Sequence, residues 1–312
     1  MSYHDSACEG DEHVQLHGGI LSPSLLKNLW AYVEVTKPAS VLLLVFTALA
    51  TMVVAAGAWS FPPGLFVTAF FAVTLGCAGA NTLTCYIDRD MDQVMERTKR
   101  RPIPSGRIHP PQRALYWGLL LTVVSLALAW TINPLAFLCG LLGFVDNVLV
   151  YSLLVKRRSP LNVILGGFSG GLPALFGWAA VNNSLNLAAL LIGSVVVLWI
   201  PNHIWNLAIF YTEDYRKVSV PMLPAVFSLE KTMRCMMATV VLMYVCSLAV
   251  YFVGGFGLIY LGIALVFGLF MTVSNVVLSL KPSRERAWVM FKLSSPYLFI
   301  LFLAMVLDAL VT

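Results

Sequence analysis

The sequence predicts an all-α, polytopic membrane protein with nine transmembrane helices, and three observations carry that prediction. The 312 residues are 59% hydrophobic and only 11% charged, with a mean hydropathy of +0.83, a composition that excludes an ordinary soluble domain. Continuous apolar runs, each long enough to cross about 30 Å of hydrocarbon as a helix, lie near 39–56, 64–83, 113–130, 134–154, 161–181, 187–210, 233–253, 258–280 and 291–311. Their polarity does not alternate, which excludes barrel strands. Finally, the 20 lysines and arginines all fall in alternate connections.

Taken in order, the spans explain that charge pattern. Lys27 and Lys37 precede the first span, and the connection "GAWSFPPG" after it has no basic residue. The second span runs into Arg89, Arg97, Lys99, Arg100, Arg101, Arg107 and Arg113. The third and fourth are joined by the uncharged "TINP", and the fourth ends at Lys156, Arg157 and Arg158. The fifth reads "NVILGGFSGGLPALFGW", where Gly166 and Gly170, and Gly167 and Gly171, form small-xxx-small pairs that let a neighbouring helix approach. Pro173 predicts a kink in it. "VNNSLN" leads into the sixth, which ends near Arg216 and Lys217; "GGFGL" joins the seventh and eighth, and Lys281, Arg284, Arg286 and Lys292 precede or open the ninth. Basic loops mark the cytoplasmic face, so the N-terminus is expected inside and the C-terminus outside.

Residues 1–35 are expected to be a partly disordered cytoplasmic tail, ahead of one membrane domain over 36–312. The tail lacks the basic start and apolar core of a secretory signal. Its His4, Cys8, His13 and His17 match no standard metal-site spacing. The six cysteines are scattered without a CxxC and read as small apolar filler.

Charge concentrates in "NTLTCYIDRDMDQVMERTKRRPIPSG", residues 81–106. Helical spacing puts Asn81, Thr84 or Cys85, Asp88 and Asp92 on one stripe and turns Asp90 elsewhere. Two carboxylates four residues apart repel unless a cation lies between them. Hard oxygen ligands suit magnesium, which is completed by water and substrate phosphates, and Arg97 and Arg101 suit phosphate oxygens. Charges that merely solvate a loop are the alternative. A second acidic group weighs against it: Glu213 and Asp214 end the sixth span, beside Arg216 and Lys217 on the same face. Paired acidic clusters of this kind suit a polymetallic clamp on a diphosphate, with Lys156 and Arg157 to neutralise a leaving group.

The segments "YIDRDMDQVMERTKRRPIPSGRI", "YSLLVKRRSPLNVILGGFSGGLPALFGWAA" and "PNHIWNLAIFYTEDYRKVSVPMLP" resemble the UbiA superfamily of intramembrane prenyltransferases, and within it the heme-farnesylating branch. The resemblance runs from Thr36-Lys37-Pro38 to the last span. The superfamily signature Asn-x-x-x-Asp-x-x-x-Asp falls on positions 84, 88 and 92, where this chain departs by carrying Thr84. A hydroxyl can still coordinate or hydrogen-bond, and Asn81 lies one turn earlier.

The resemblance implies nine helices around a central cavity with lateral access. It implies farnesyl diphosphate bound through magnesium to Asp88, Asp92 and Asp214, which serve as the catalytic and metal-binding residues. Thr84, Arg97, Arg101, Tyr151, Lys156, Arg157, His203 and Tyr215 are the implied substrate contacts. Ionisation of the farnesyl chain, attack on a vinyl group of heme b and addition of water would give a hydroxyethylfarnesyl substituent. The implied partners are farnesyl diphosphate, heme b and lipid of the cell membrane, with a heme A synthase downstream and no nucleic acid.

His203, in "PNHIW", reads either as a heme contact or as a histidine hydrogen-bonded between helices. Tyr151, Trp199 and Trp205 read as pocket lining or as interface anchors. Asp146 and Asn147 lie well inside the fourth span, where polar groups are costly, and should face the cavity or another helix. Two competing functions are a sister enzyme acting on a quinone precursor or a glycerol phosphate ether, and a non-catalytic transport or heme-handling protein. "PNHIW" and "DYRKVSVPMLP" favour heme over the first. Acidic pairs at the cytoplasmic end disfavour the second, whose sites lie nearer the midplane.

Overall fold

The computed structural model describes residues 23–57 and 60–311. The His4, Cys8, His13 and His17 group lies outside the described residues. Within the stretch assigned to the tail, Pro23–Glu34 forms helix α1. Its Ala31, with Val35 just beyond, packs on Cys85, Ile103, Ile108 and Ala114, and Glu34 pairs with the Arg107 fork at 2.5 and 2.7 Å. The chain then turns at Lys37, a non-glycine residue in the left-handed region (φ 57°), and Pro38 opens the next helix.

Among the described residues, nine helical spans are long and apolar enough to cross a membrane. The elements are α2 (Pro38–Ala56), α3 (Pro63–Ile87), short α4 (Arg89–Val94), α5 (Gln112–Ile132) and α6 (Pro134–Phe144), the last continued by a π-helical stretch over Val145–Val155. There follow α7 (Asn162–Leu165), α8 (Phe168–Asn182), α9 (Leu187–Phe210), α10 (Thr212–Lys217), α11 (Leu223–Val226), α12 (Leu229–Gly254), α13 (Leu258–Leu280) and α14 (Arg284–Val311). The π stretch completes the fourth span, and α7 with α8 makes the fifth. Prolines open α2, α3 and α6, where a missing N–H costs nothing. Asn133 and Asn186 accept from the amides of Ala136 and Ala189 and cap α6 and α9.

Three helices outrun their apolar stretches. α3 continues to Ile87, α12 begins at Leu229 and α14 at Arg284, because hydropathy measures the hydrocarbon crossing while a helix continues until a cap or breaker stops it. Ser228 supplies such a cap, accepting from the Lys231 amide.

The fifth span is interrupted at Gly166–Gly167, ahead of Pro173, which sits inside continuous α8. The glycines there serve close packing. A Cβ on Gly166 would lie 2.5 Å from the Tyr151 ring, one on Gly171 would lie 2.6 Å from the Gly193 carbonyl oxygen, and one on Gly177 would lie 2.0 Å from that of Ala48. Helices α8 and α9, and α8 and α2, therefore meet backbone to backbone.

The spans group into two halves. Helices α2, α3, α5, α6 and α8 pack with one another, as do α9, α12, α13 and α14; α2 and α8 meet α14 and α9 along the seam.

Candidate functional site

The site is built where α3 stops. Asp88 takes a non-helical conformation (φ −86°, ψ 1°), yet the Asp92 amide still donates to the Asp88 carbonyl at 2.9 Å, so the helical register nearly survives the break. Asp88 and Asp92 are consequently buried on one side, and Asp90 points out with 61% of its side chain exposed. Cys85 turns into the α1 contact. Asn81 gives its amide to the Thr36 carbonyl at 3.0 Å.

Each buried carboxylate is met by a base. Lys156 pairs with Asp88 Oδ2, while Asp88 Oδ1 is buried without a partner. Arg101 pairs with Asp92 at 2.8 Å. Asp214 accepts from the Arg97 backbone amide at 3.1 Å, with Lys217 at 3.9 Å. The Arg97–Asp214 bond brings together the two acidic segments, which lie on either side of four spans. The Arg97 guanidinium donates to the Tyr215 hydroxyl at 3.5 Å and lies over the Tyr211 ring. At the position of the signature asparagine, Thr84 Oγ1 accepts from Lys37 Nζ at 3.2 Å and donates to the Asn81 carbonyl.

The electrostatics of this cluster favour an incoming anion. Lys37, Arg97, Arg101 and Lys156 face Asp88, Asp92 and Asp214, leaving an excess of positive charge. Burial pushes the Lys37 ammonium below the ordinary lysine range; Arg101 and Lys156 nearby add to that effect, and Cys85 and Asp88 oppose it. Burial also disfavours the Lys156 cation, but Asp88, with Tyr151 and Tyr215, outweighs it and its pKa rises.

Among the described residues, no three His, Cys, Asp or Glu side chains gather as a metal-holding group. Asp88, Asp92 and Asp214 thus do not form a three-carboxylate cage in this arrangement, because each is held by its own basic partner. The donor set still fits magnesium, which takes one or two carboxylates and is completed by phosphate oxygens and water. Asp88 Oδ1 is a buried oxygen with no other partner to lose.

On the membrane side of the cluster lies a partly open cavity of about 80 Å³. Ala72, Gly76 and Ala80 of α3 and Gly140 and Gly143 of α6 leave room for it, and Asn81 at one end connects it to the Thr84 turn. Its other polar lining includes Asn147 and Ser169.

Not every expected contact converges here. Arg157 leaves the buried acids and forks with exposed Asp90 at 2.5 and 2.7 Å, because the turn that aims Lys156 inward sends its neighbour out. Glu213 likewise pairs at the surface, with Arg216 and Arg284. His203 bonds Ser294 at 2.6 Å, its ring between Trp199 and Phe291 at 4.5 and 4.4 Å, so it sits in an α9–α14 contact. Trp199 donates to the Ser294 carbonyl, and Trp205 is buried in the core. Tyr151 lies beside Lys156, 5.4 Å from Nζ to ring centre. The residue missed by reading the sequence is Lys37. Its only signal was a basic residue next to proline at the head of a span, within the Thr36-Lys37-Pro38 start of the resemblance.

Residues 43–304 match the UbiA prenyltransferase family. The protoheme IX farnesyltransferase of Desulforudis audaxviator (strain MP104C) is 55% identical over 94% of this chain and 92% of its own length. That of Korarchaeum cryptofilum (strain OPF8) is 39% identical over 88% and 92%. In fold, the chain resembles a solved digeranylgeranylglyceryl phosphate synthase (TM-score 0.76, 21% identity, 92% of this chain and 100% of that one). It also resembles a UbiA homologue from Archaeoglobus fulgidus solved with DMAPP and Mg²⁺ (TM-score 0.64, 16% identity, 86% and 98%). A charged cluster over a cavity in an all-helical membrane bundle, and a family match across most of its length, establish that this chain belongs to the UbiA prenyltransferase family.

Proposed function

We propose that the chain transfers the farnesyl group of farnesyl diphosphate to a vinyl group of heme b, releasing pyrophosphate, as the names of its relatives indicate for those proteins. The observation that carries this reading is the Arg97–Asp214 bond, which assembles both acidic segments into one cluster at the mouth of the cavity. Lys37, Arg97, Arg101 and Lys156 bind the diphosphate oxygens, Lys156 and Arg101 exchanging their carboxylate partners for phosphate. Asp88, Asp92 and Asp214, freed from their basic partners as the phosphate draws these away, would hold magnesium, which would supply further positive charge against the pyrophosphate. Such charge is most effective where water is excluded.

The remaining groups orient the substrates. The Tyr211 and Tyr215 side chains fix Arg97, and Thr84 fixes Lys37. The cavity takes the isoprenoid and keeps water from most of the allylic cation. The protein lies in the cell membrane with this cluster on the cytoplasmic side, N-terminus inside and C-terminus outside, and a heme A synthase consumes its product.

The test is to incubate purified protein in detergent with heme b, farnesyl diphosphate and magnesium, and to look for farnesylated heme by mass spectrometry. Asp88→Asn and Asp92→Asn are expected to lower turnover by at least about 10²–10³-fold in protein that still elutes and melts as folded. Near-normal turnover in either variant would sink the assignment.

A further inference from the structure

The fourth span carries the feature that the proposed chemistry leaves unused. From Val145 to Val155 it is π-helical, with Lys156 N–H donating to the Tyr151 carbonyl at 2.8 Å and Ser152 Oγ to the Asn147 carbonyl at 3.1 Å, each five residues back. Were this stretch α-helical, at 3.6 residues per turn, Asn147 and Lys156 would lie on opposite faces. The wider π turn of about 4.4 residues puts Asn147, Tyr151 and Lys156 in one column instead. Lys156 at its top reaches Asp88, and Asn147 at its foot lines the cavity.

Asn147 is held in one orientation by its neighbours. Its Nδ2 donates to Ser169 Oγ at 3.4 Å. That hydroxyl spends its own proton on the Gly166 carbonyl at 2.7 Å, and the Ser169 amide is tied to Asp146 Oδ2 at 2.7 Å. The two costly polar residues of the span thus act in sequence, Asp146 fixing Ser169 and Ser169 fixing the Asn147 amide. The amide oxygen is left over. Among the described residues that line the cavity, Asn147 Oδ1 is the buried side-chain oxygen that no protein group satisfies, and a buried acceptor of this kind calls for a partner.

We infer that Asn147 Oδ1 holds the water molecule that becomes the product hydroxyl, with Ser169 as its positioning residue; this rests on the heme-farnesylating reading. In that reaction the C1–O bond of farnesyl diphosphate breaks and pyrophosphate leaves with the electron pair. The terminal vinyl carbon of heme then bonds to C1, and positive charge passes to the vinyl carbon attached to the pyrrole. A water that donates one O–H to Asn147 Oδ1 keeps a lone pair free. That pair forms the new C–O bond, and the shed proton passes to the departed pyrophosphate, the base that the reaction itself produces. Without a held water, the same cation loses a proton from the neighbouring CH₂ and gives an alkene, a product lighter by one water.

The experiment measures that partition. Wild-type protein, Asn147→Leu and Ser169→Ala are incubated with heme b, farnesyl diphosphate and magnesium in ¹⁸O-labelled water, and hydrated and alkene hemes are quantified by mass. Asn147→Leu is expected to shift the ratio toward alkene by at least about tenfold, Ser169→Ala in the same direction, with KM for farnesyl diphosphate within about twofold of wild type. A purely structural loss would lower both products together. A hydrated fraction equal to wild type in Asn147→Leu, or in Ser169→Ala if leucine at 147 yields no product, overturns the inference. A wild-type protein that makes no farnesylated heme overturns the functional reading and this inference with it.

Discussion

The two halves of the bundle solve opposite packing problems with the same secondary structure. In the half made by α9, α12, α13 and α14, the interior is filled by large side chains: Met236, Met243, Tyr260, Met271, Tyr297 and Phe302 are each less than 2% exposed. In the half made by α2, α3, α5, α6 and α8, the facing positions are Ala72, Gly76, Ala80, Gly140 and Gly143, and a cavity remains between them. Hydrocarbon does not drive helices together as water does, so contact area and hydrogen bonds carry the association. A hollow forfeits contact area. The hollow half regains some at its ends, through backbone-close packing at Gly177 and through the ion pairs that follow the end of α3. Small residues therefore have two uses here, sealing a seam in one place and leaving room in another.

Several substitutions would break or sharpen that contrast. The largest effect is expected at the mouth. Lys156→Met leaves Asp88 buried and unpaired and removes a cation from the diphosphate, so kcat/KM for farnesyl diphosphate should fall by at least about 10²-fold; a change under about threefold would separate the ion pair from the chemistry. Next comes a pair of glycines. Gly177→Ala pushes a methyl group into the Ala48 carbonyl and should cost about 1–3 kcal/mol, read as a lower Tm. Gly143→Leu, whose first carbon would find ordinary contact at 3.6 Å from Leu172, should leave Tm nearly unchanged and instead favour a shorter isoprenoid diphosphate over farnesyl by about tenfold in kcat/KM. If the two exchange behaviours, the assignment of seam and cavity is wrong.

A pH profile tests Lys37. Its pKa is lowered by burial, so it is a cation below that pKa and loses its pull on the diphosphate as pH rises through it. The alkaline rise of KM for farnesyl diphosphate should therefore begin below the ordinary lysine pKa of about 10.4, and Lys37→Arg should move it upward; coincident limbs would remove Lys37 from the site. The smallest effect belongs to Arg157. It forms an exposed pair with Asp90, and pairs of that kind are worth about 0–1 kcal/mol, so Arg157→Ala should retain turnover within about threefold of wild type. Adjacent Lys156 and Arg157 thereby provide an internal control, one aimed inward and the other at solvent.

How much of this could be read beforehand differs by scale. The stripe of Asp88 and Asp92, with Asp90 turned away, followed from helical spacing, and the structure keeps it because the Asp92–Asp88 backbone bond survives the break after α3. The placements of Arg157 and His203 did not follow. Neighbouring basic residues look alike in one dimension, and a histidine inside a span carries no mark of whether Ser294 from another helix will meet it. The π-helix was equally hidden, since a continuously apolar run has no periodicity from which to tell a wider turn from an ordinary one.

By itself, the sequence determined the solvent of the chain, the number and bounds of its spans to within a few residues, and the membrane face that holds its charge. Those properties follow from transfer free energies and helical spacing, which are local and additive along the chain. Only the tertiary structure decided which bases meet which acids, that Lys37 comes to Thr84, that the two acidic segments share one mouth, and which half stays hollow. Each of these depends on residues far apart in the chain competing for the same few ångströms, and no count along one strand of sequence contains that competition.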